Sequence, residues 1–170
     1  LLIEDAAHAF GSKYKNKSED ICAIILTSGT TGIPKAVQLT YENFETSCNN
    51  WNTFLEFQSN DQFLCCLPLN HIAGLSIIIR SQFKGFETIL MDQFNSKKIN
   101  TEIDNGATFI SLIPSMLKKV LDNRSGRSFP SSFRGVIIGG QSCPNSIMKE
   151  ALSASVPVYK SYGMTETCSG

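Results

Sequence analysis

Residues 27–35, TSGTTGIPK, hold two glycines, four hydroxyl side chains and one lysine, directly after the apolar run CAIIL at 22–26. Consecutive small residues let backbone N–H groups converge on an anion. The hydroxyls of Thr27, Ser28, Thr30 and Thr31 add donors, and Lys35 adds charge. That is chemistry for a polyphosphate, and the stretch by itself leaves a flexible Gly/Thr turn as the alternative. Two familiar phosphate loops are excluded by spacing. A Walker loop needs G-x-x-x-x-G followed by Lys and then Ser or Thr, but the residue at the second glycine position after Gly29 is Pro34, and Lys35 is followed by Ala36. A dinucleotide fingerprint G-x-G-x-x-G is missing too, since only Gly29 and Gly32 are present.

Two further clusters lie downstream. SYGMTE at 161–166 sets an aromatic ring, a hydroxyl and a carboxylate close together, and GGQSCP at 139–144 follows the apolar run GVII. Alone, the first is compatible with a strand end followed by a helix cap and the second with a strand-to-helix turn. Together with 27–35, they resemble the AMP-forming adenylating superfamily, which includes acyl-CoA synthetases, nonribosomal peptide synthetase adenylation domains and firefly luciferase. Its phosphate-binding signature, T-S-G-T-T-G-x-P-K, is matched at every specified position, with Ile33 at the variable one. The resemblance therefore implies nucleotide contacts from Thr27, Ser28, Gly29, Thr30, Thr31, Gly32 and Lys35. SYGMTE resembles the superfamily's Y-G-x-T-E motif, in which the ring stacks on adenine, the threonine hydrogen-bonds the α-phosphate and the glutamate holds magnesium. Those roles fall to Tyr162, Thr165 and Glu166, with Gly163 and Met164 completing the nucleotide-binding segment. The chemistry agrees, because adenine needs a π-face and a magnesium ion bridging phosphates needs an oxygen ligand. GGQSCP resembles the segment beside adenine and the acyl pocket, which implies contacts from Gly139, Gly140 and Gln141. Glycines there let a flat ring approach the backbone.

LPLNHIAGLSIIIRS at 67–81 matches in position the segment that closes one end of the acyl pocket, and the resemblance places His71 near the reacting carboxylate. A histidine at a helix start is otherwise a cap or a surface group. The same run resembles the o-succinylbenzoate-CoA ligases of menaquinone biosynthesis, a branch whose aromatic keto acid bears two carboxylates. Arg80 is then either the partner of the distal carboxylate or a helix residue extending to solvent. No role falls to His8 or to the first nineteen residues.

The resemblance implies a cytoplasmic ATP-dependent acid-thiol ligase. A carboxylate, here an aromatic one such as o-succinylbenzoate, attacks the α-phosphate of ATP to give an acyl-adenylate and pyrophosphate. The thiol of CoA then displaces AMP, with magnesium as cofactor. Neither step needs a protein nucleophile. Another fatty or aryl acyl-CoA synthetase and a noncatalytic nucleotide-binding module are the alternatives. The ribose-binding aspartate and the lysine of the mobile C-terminal domain fall past these motifs in the superfamily. Residues 1–170 are accordingly read as a fragment of the N-terminal ATP- and acyl-binding domain, with the lysine-bearing domain absent and the fragment alone inactive. Assembly into a homo-oligomer is left open.

The elements that must position these residues follow from patterning. Apolar runs at 22–26, 63–67, 87–91, 108–113, 135–139 and 156–160 are short, suited to strands and apolar on both faces. Between them lie helical spacings. Residues 40–57 place Phe44, Cys48, Trp51, Phe54 and Leu55 at intervals of three and four behind a Thr40 N-cap. PSMLKKVLDN and PNSIMKEALSA each carry a proline near the start, where its missing N–H does no harm. Alternating strands and helices predict an α/β fold with a doubly wound, mostly parallel sheet and helices on both faces, a three-layer α/β/α arrangement. Residues 122–133 are the expected long surface loop. Fifteen basic and fifteen acidic residues form no block of one sign, which disfavours a nucleic-acid or anionic-membrane partner. Six cysteines without a C-x-x-C pair suggest reduced thiols, not zinc or disulfides. The run IAGLSIII is far shorter than the roughly 20 residues of a spanning helix.

Overall fold

The computed structural model describes residues 19–27 and 35–169. The chain forms two compact units, one from the residues up to Phe57 with Pro68–Gly85 and Gly163 onward, the other from Gln58–Leu67 and Phe86–Tyr162. Among the described residues, no helix is long and apolar enough to cross a membrane.

In the first unit, β1 (Ile21–Thr27) pairs antiparallel with β2 (Lys35–Thr40), from Ala23 opposite Leu39 to Thr27 opposite Lys35. The expected strand at 22–26 thus exists, but in a two-stranded sheet of its own and not in the parallel sheet. The reason is chain length: the 28–34 connection suffices for an antiparallel return, whereas a parallel partner needs a crossover of about a dozen residues. The sequence reading also placed no strand over 35–40. Leu39 is buried and Val37 half-buried, while Ala36 and Gln38 face outward, the alternation of a half-covered strand.

Helix α1 (Tyr41–Leu55) starts as its sequence predicts: the Asn43 N–H donates to Thr40 Oγ1 at 3.2 Å and the Thr40 N–H donates to Asn43 Oδ1 at 3.0 Å, a reciprocal cap. Phe44, Ser47, Cys48 and Leu55 form its buried stripe, whereas Phe54, expected inside, is 76% exposed at the stripe's edge. Helix α2 (Ile72–Lys84) is apolar on most sides and ends at Gly85, whose φ of 77° suits a residue without Cβ. Cys22, Ala23, Ile25, Leu39, Phe44, Ile72, Leu75, Ile79 and Cys168 make this unit's core.

The second unit carries β3 (Gln62–Cys65), β4 (Glu87–Leu90), β5 (Phe109–Leu112), β6 (Gly135–Ile138) and β7 (Val158–Lys160). They form a parallel sheet in the order β4-β3-β5-β6-β7, flanked by helices as the fold class requires. Helices α3 (Ser96–Asp104), α4 (Pro114–Arg124) and α5 (Asn145–Ser153) contribute Ile99, Ile103, Leu117, Val120 and Ala151 to a core with Leu64, Ile110, Leu112, Val136 and Ile138. The strands' opposite faces are buried as well, at Phe63, Cys65, Phe109 and Ile137, which is why these runs lack alternation. Pro114 opens α4, as expected, while Pro144 caps α5 from outside.

Two ion pairs organise this unit. Asp61, 2% exposed, accepts from the Arg134 guanidinium and, at 2.8 Å, from the Gln58 N–H, while its own carbonyl accepts from the Glu87 N–H. Arg134 also lies 4.8 Å over the Phe109 ring. Arg124 is buried and donates to Asp104, Asn100 and the carbonyls of Arg127 and Ser128, so it gathers the start of the following loop around one guanidinium; that loop begins at Ser125 and not at 122, because α4 continues through Arg124. A hydrogen bond from Arg124, aided by the charges of Arg124 and Arg127, holds the Asp104 carboxyl below its usual pKa.

Removing one partner of a buried pair leaves the other uncompensated, so D61A lowers stability by about 3 kcal/mol in urea unfolding. A loss below about 1 kcal/mol, the scale of an exposed pair, would contradict the role given to Asp61. For Asp104 the folded pKa is depressed, so its contribution is present above the unfolded value of about 3.9 and is lost as pH falls through the folded value. D104N therefore melts lower than wild type at neutral pH, and the gap closes in stronger acid. A gap of constant size in melting curves across that range would refute the assignment.

Candidate functional site

The first unit sets the residues that flank 28–34 opposite each other on β1 and β2 and packs the second motif's turn against β2. Thr27 and Lys35 are the last pair of the β1–β2 ladder and stand opposite each other. Ser28, Gly29, Thr30, Thr31 and Gly32 lie outside the described residues, as does His8. The Lys35 side chain is exposed and makes no ion pair among the described residues. A single 3-10 turn, Thr165–Thr167, packs against β2, the strand that Lys35 opens. It is closed by the Met164 N–H donating to Thr167 Oγ1 at 3.0 Å and the Cys168 N–H donating to the Thr165 carbonyl at 3.1 Å.

Thr165 is half-buried, and Glu166 is exposed in the turn's first positions. Among the described residues, Glu166 makes no ion pair, and no group of three His, Cys, Asp or Glu side chains is present to cage a metal. A lone free carboxylate fits magnesium, which keeps several waters and takes its other oxygens from substrate phosphates.

Two side chains that the sequence reading gave no site role hold the end of this turn. Ser47 Oγ donates to the Cys168 carbonyl at 2.8 Å, and Trp51 Nε1 donates to the Ser169 carbonyl at 3.3 Å. Their partners lie over a hundred positions away, beyond any spacing rule.

The acyl-side residues belong to α2. His71 is its N-cap by backbone geometry but makes no side-chain capping bond, and it is exposed. Its backbone carbonyl accepts from Gly74 and Leu75, which leaves the imidazole clear of the cap. Arg80 does not extend to solvent: it is 2% exposed, its guanidinium sits 5.0 Å over the Trp51 ring, and its Nε and Nη2 have no hydrogen-bond partner. Burial pulls its pKa down to about 10, which still leaves it charged at neutral pH. The nearby thiols cannot act as counter-ions, because burial pushes Cys48 up and Cys168 up to about 12. The indole face and a hydrogen bond with the Cys48 side chain supply its attraction.

The second unit holds the remaining residues at the carboxyl ends of neighbouring parallel strands. Gly139 and Gly140 follow β6, and Ser161 and Tyr162 follow β7, with the Ser161 N–H donating to the Ile138 carbonyl at 2.8 Å. A Cβ on Gly139 would lie 2.6 Å from Ser161 Oγ, so that side chain would have to turn away, and Gly140 has a φ of 76°, which favours glycine. Tyr162 is 87% exposed, and Gln141, Gly163 and Met164 are exposed too. The carboxyl ends of parallel strands are where open α/β sheets bind ligands.

Comparison with known proteins agrees with this geometry. The family model described as AMP-binding enzyme matches residues 3–170. The 2-succinylbenzoate--CoA ligase of Geobacillus sp. (strain WCH70) is 40% identical over 152 residues, covering 89% of this chain and 31% of that protein. The protein of the same name from Staphylococcus epidermidis is 39% identical over 159 residues, covering 93% of this chain and 33% of that protein. This chain thus spans about a third of the length of the curated relatives it matches. Among solved structures, o-succinylbenzoate coenzyme A synthetase from Bacillus subtilis in complex with AMP superposes with a TM-score of 0.83 at 34% identity, over 90% of this chain and 39% of that one. The same enzyme in complex with ATP and magnesium ion gives 0.85 at 32% identity, over 93% and 34%. A parallel sheet with glycines at its carboxyl edge and a family match along nearly the whole length lead to one conclusion: this chain belongs to the AMP-binding enzyme family.

Proposed function

We propose that this chain is the nucleotide- and acyl-binding part of an ATP-dependent ligase that activates o-succinylbenzoate as an acyl-adenylate and passes it to CoA in menaquinone biosynthesis, in the cytoplasm. The observation that carries this reading is the packing of the Thr165–Thr167 turn against β2, which unites two motifs remote in sequence within one unit. The names of the relatives support the choice of acid, and the bound AMP, ATP and magnesium ion of the Bacillus subtilis structures support the nucleotide and the metal. In this reading residues 1–170 are part of an N-terminal domain. The greater length of the relatives supports a C-terminal domain of the same polypeptide that supplies the catalytic lysine.

The roles follow from the chemistry. Backbone N–H groups and hydroxyls of Thr27, Ser28, Gly29, Thr30, Thr31 and Gly32, with the Lys35 ammonium, hold the triphosphate. Tyr162 offers its ring to adenine beside Gly139, Gly140 and Gln141, and Gly163 and Met164 carry the chain on to Thr165. Thr165 donates to the α-phosphate, and Glu166 holds magnesium, which when bound neutralises charge on the phosphates. A carboxylate oxygen of the acid forms a bond to the α-phosphorus as the bond to pyrophosphate breaks. The CoA sulfur then bonds to the acyl carbon, AMP leaves with the electron pair, and the thiol proton is lost to solvent. His71 lines the acyl pocket near that carbon. Arg80, charged and without a carboxylate partner among the described residues, is assigned to the acid's second carboxylate.

Catalysis here is positioning and charge neutralisation. The full-length protein, given ATP, magnesium and CoA with a panel of fatty, aryl and succinylbenzoic acids, forms a thioester fastest with o-succinylbenzoate, as read by mass spectrometry and AMP release. Preference for a fatty acid would move the protein to another branch of the family. Absence of AMP release with every acid would leave a nucleotide-binding module.

A further inference from the structure

We propose that Ser47 and Trp51 of α1 are positioning residues for this reaction: by holding the carbonyls of Cys168 and Ser169 they fix the turn that presents Thr165 and Glu166 to magnesium-bound ATP. The inference rests on the ligase reading for the meaning of the turn, and on the hydrogen bonds for the mechanism.

The turn cannot hold itself. It is one 3-10 turn, too short for a cooperative helix, and the two residues after it, Cys168 and Ser169, have φ values of 56° and 73°. Neither is glycine, so this left-handed backbone is unfavourable and persists only where surrounding contacts over-determine it. Those contacts come from α1. The Ser47 hydroxyl is buried and donates to the Cys168 carbonyl, the Trp51 indole N–H donates to the Ser169 carbonyl, and the Cys168 side chain is packed into the unit's core.

The indole is itself fixed, with the Arg80 guanidinium over its ring. Arg80 has two nitrogens without hydrogen-bond partners, so the aromatic face is one of its few favourable contacts. Ser47 and Trp51 touch no reacting atom in this scheme. They act through the backbone that carries Thr165 and Glu166, so their loss selectively weakens what those two residues bind.

That selectivity separates positioning from general stability. In the full-length protein, S47A and W51F each delete one donor, and W51F keeps an aromatic ring beneath Arg80. Each variant is expected to bind ATP about fivefold to tenfold more weakly in the presence of magnesium, the scale of one lost hydrogen bond. The loss is expected to be smaller when magnesium is chelated, because only the Thr165 contact with the α-phosphate then remains to be weakened. The magnesium concentration for half-maximal adenylation rises, excess magnesium restores the rate, and the KM for the acid is unchanged. Wild-type ATP affinity in magnesium for both variants overturns the proposal, as does an equal loss with and without magnesium. Should one variant fail to fold, the other decides. Because nucleotide binding is read directly, a wild-type protein without ligase activity would remove the proposed function and still leave the clamp measurable.

Discussion

The antiparallel pairing of β1 with β2 is the constraint on which the candidate site depends. The ladder runs up to Thr27 opposite Lys35, so the two residues that flank the 28–34 segment are paired. The same β2 ends at Thr40, whose reciprocal cap with Asn43 starts α1, and it receives the turn that carries Thr165 and Glu166. One strand therefore sets the position of Lys35, the start of α1 and the seat of the Thr165–Thr167 turn. Loss of this pairing would release all three together.

The division of labour between the units follows from physics. In the second unit β3, β5 and β6 are buried on both faces, and the chain just beyond neighbouring strands β6 and β7 carries Gly139, Gly140 and Tyr162. Asp61 and Arg134 tie together the opposite, amino ends of its strands. The first unit instead presents polar groups from a hairpin and a short turn, elements that hold position only through their partners. The proposed reaction, in which substrate carboxylate and thiol are the nucleophiles, asks for such placement of donors and charge, not for a reactive side chain.

Much of this was legible in the sequence, and the reasons differ by residue. The parallel strands were readable because burial on both faces leaves uninterrupted apolar runs, and Thr40 and Pro114 mark helix starts through local backbone chemistry. The motifs assigned to the nucleotide were readable because they are runs of adjacent small and polar residues. Strand β2 leaves a weak signal because Ala36 and Gln38 on its outer face are small or polar and its inner face, with Val37 and Leu39, opens on the polar Lys35. Arg80 and Arg124 both look like surface residues in sequence. Their burial depends on Trp51 in one case and on Asp104 and Asn100 in the other, partners far off along the chain. Trp51 was seen only as part of an apolar stripe, and its indole N–H finds a use only once Ser169 is beside it.

The central claim is that the β1–β2 hairpin and the Thr165–Glu166 turn serve one nucleotide. A crystal structure of the full-length protein with ATP and magnesium tests it most directly. The account predicts the triphosphate against residues 27–35 and the metal within about 2.1 Å, or one bridging water, of the Glu166 carboxylate. Phosphates and metal bound away from either segment would contradict it.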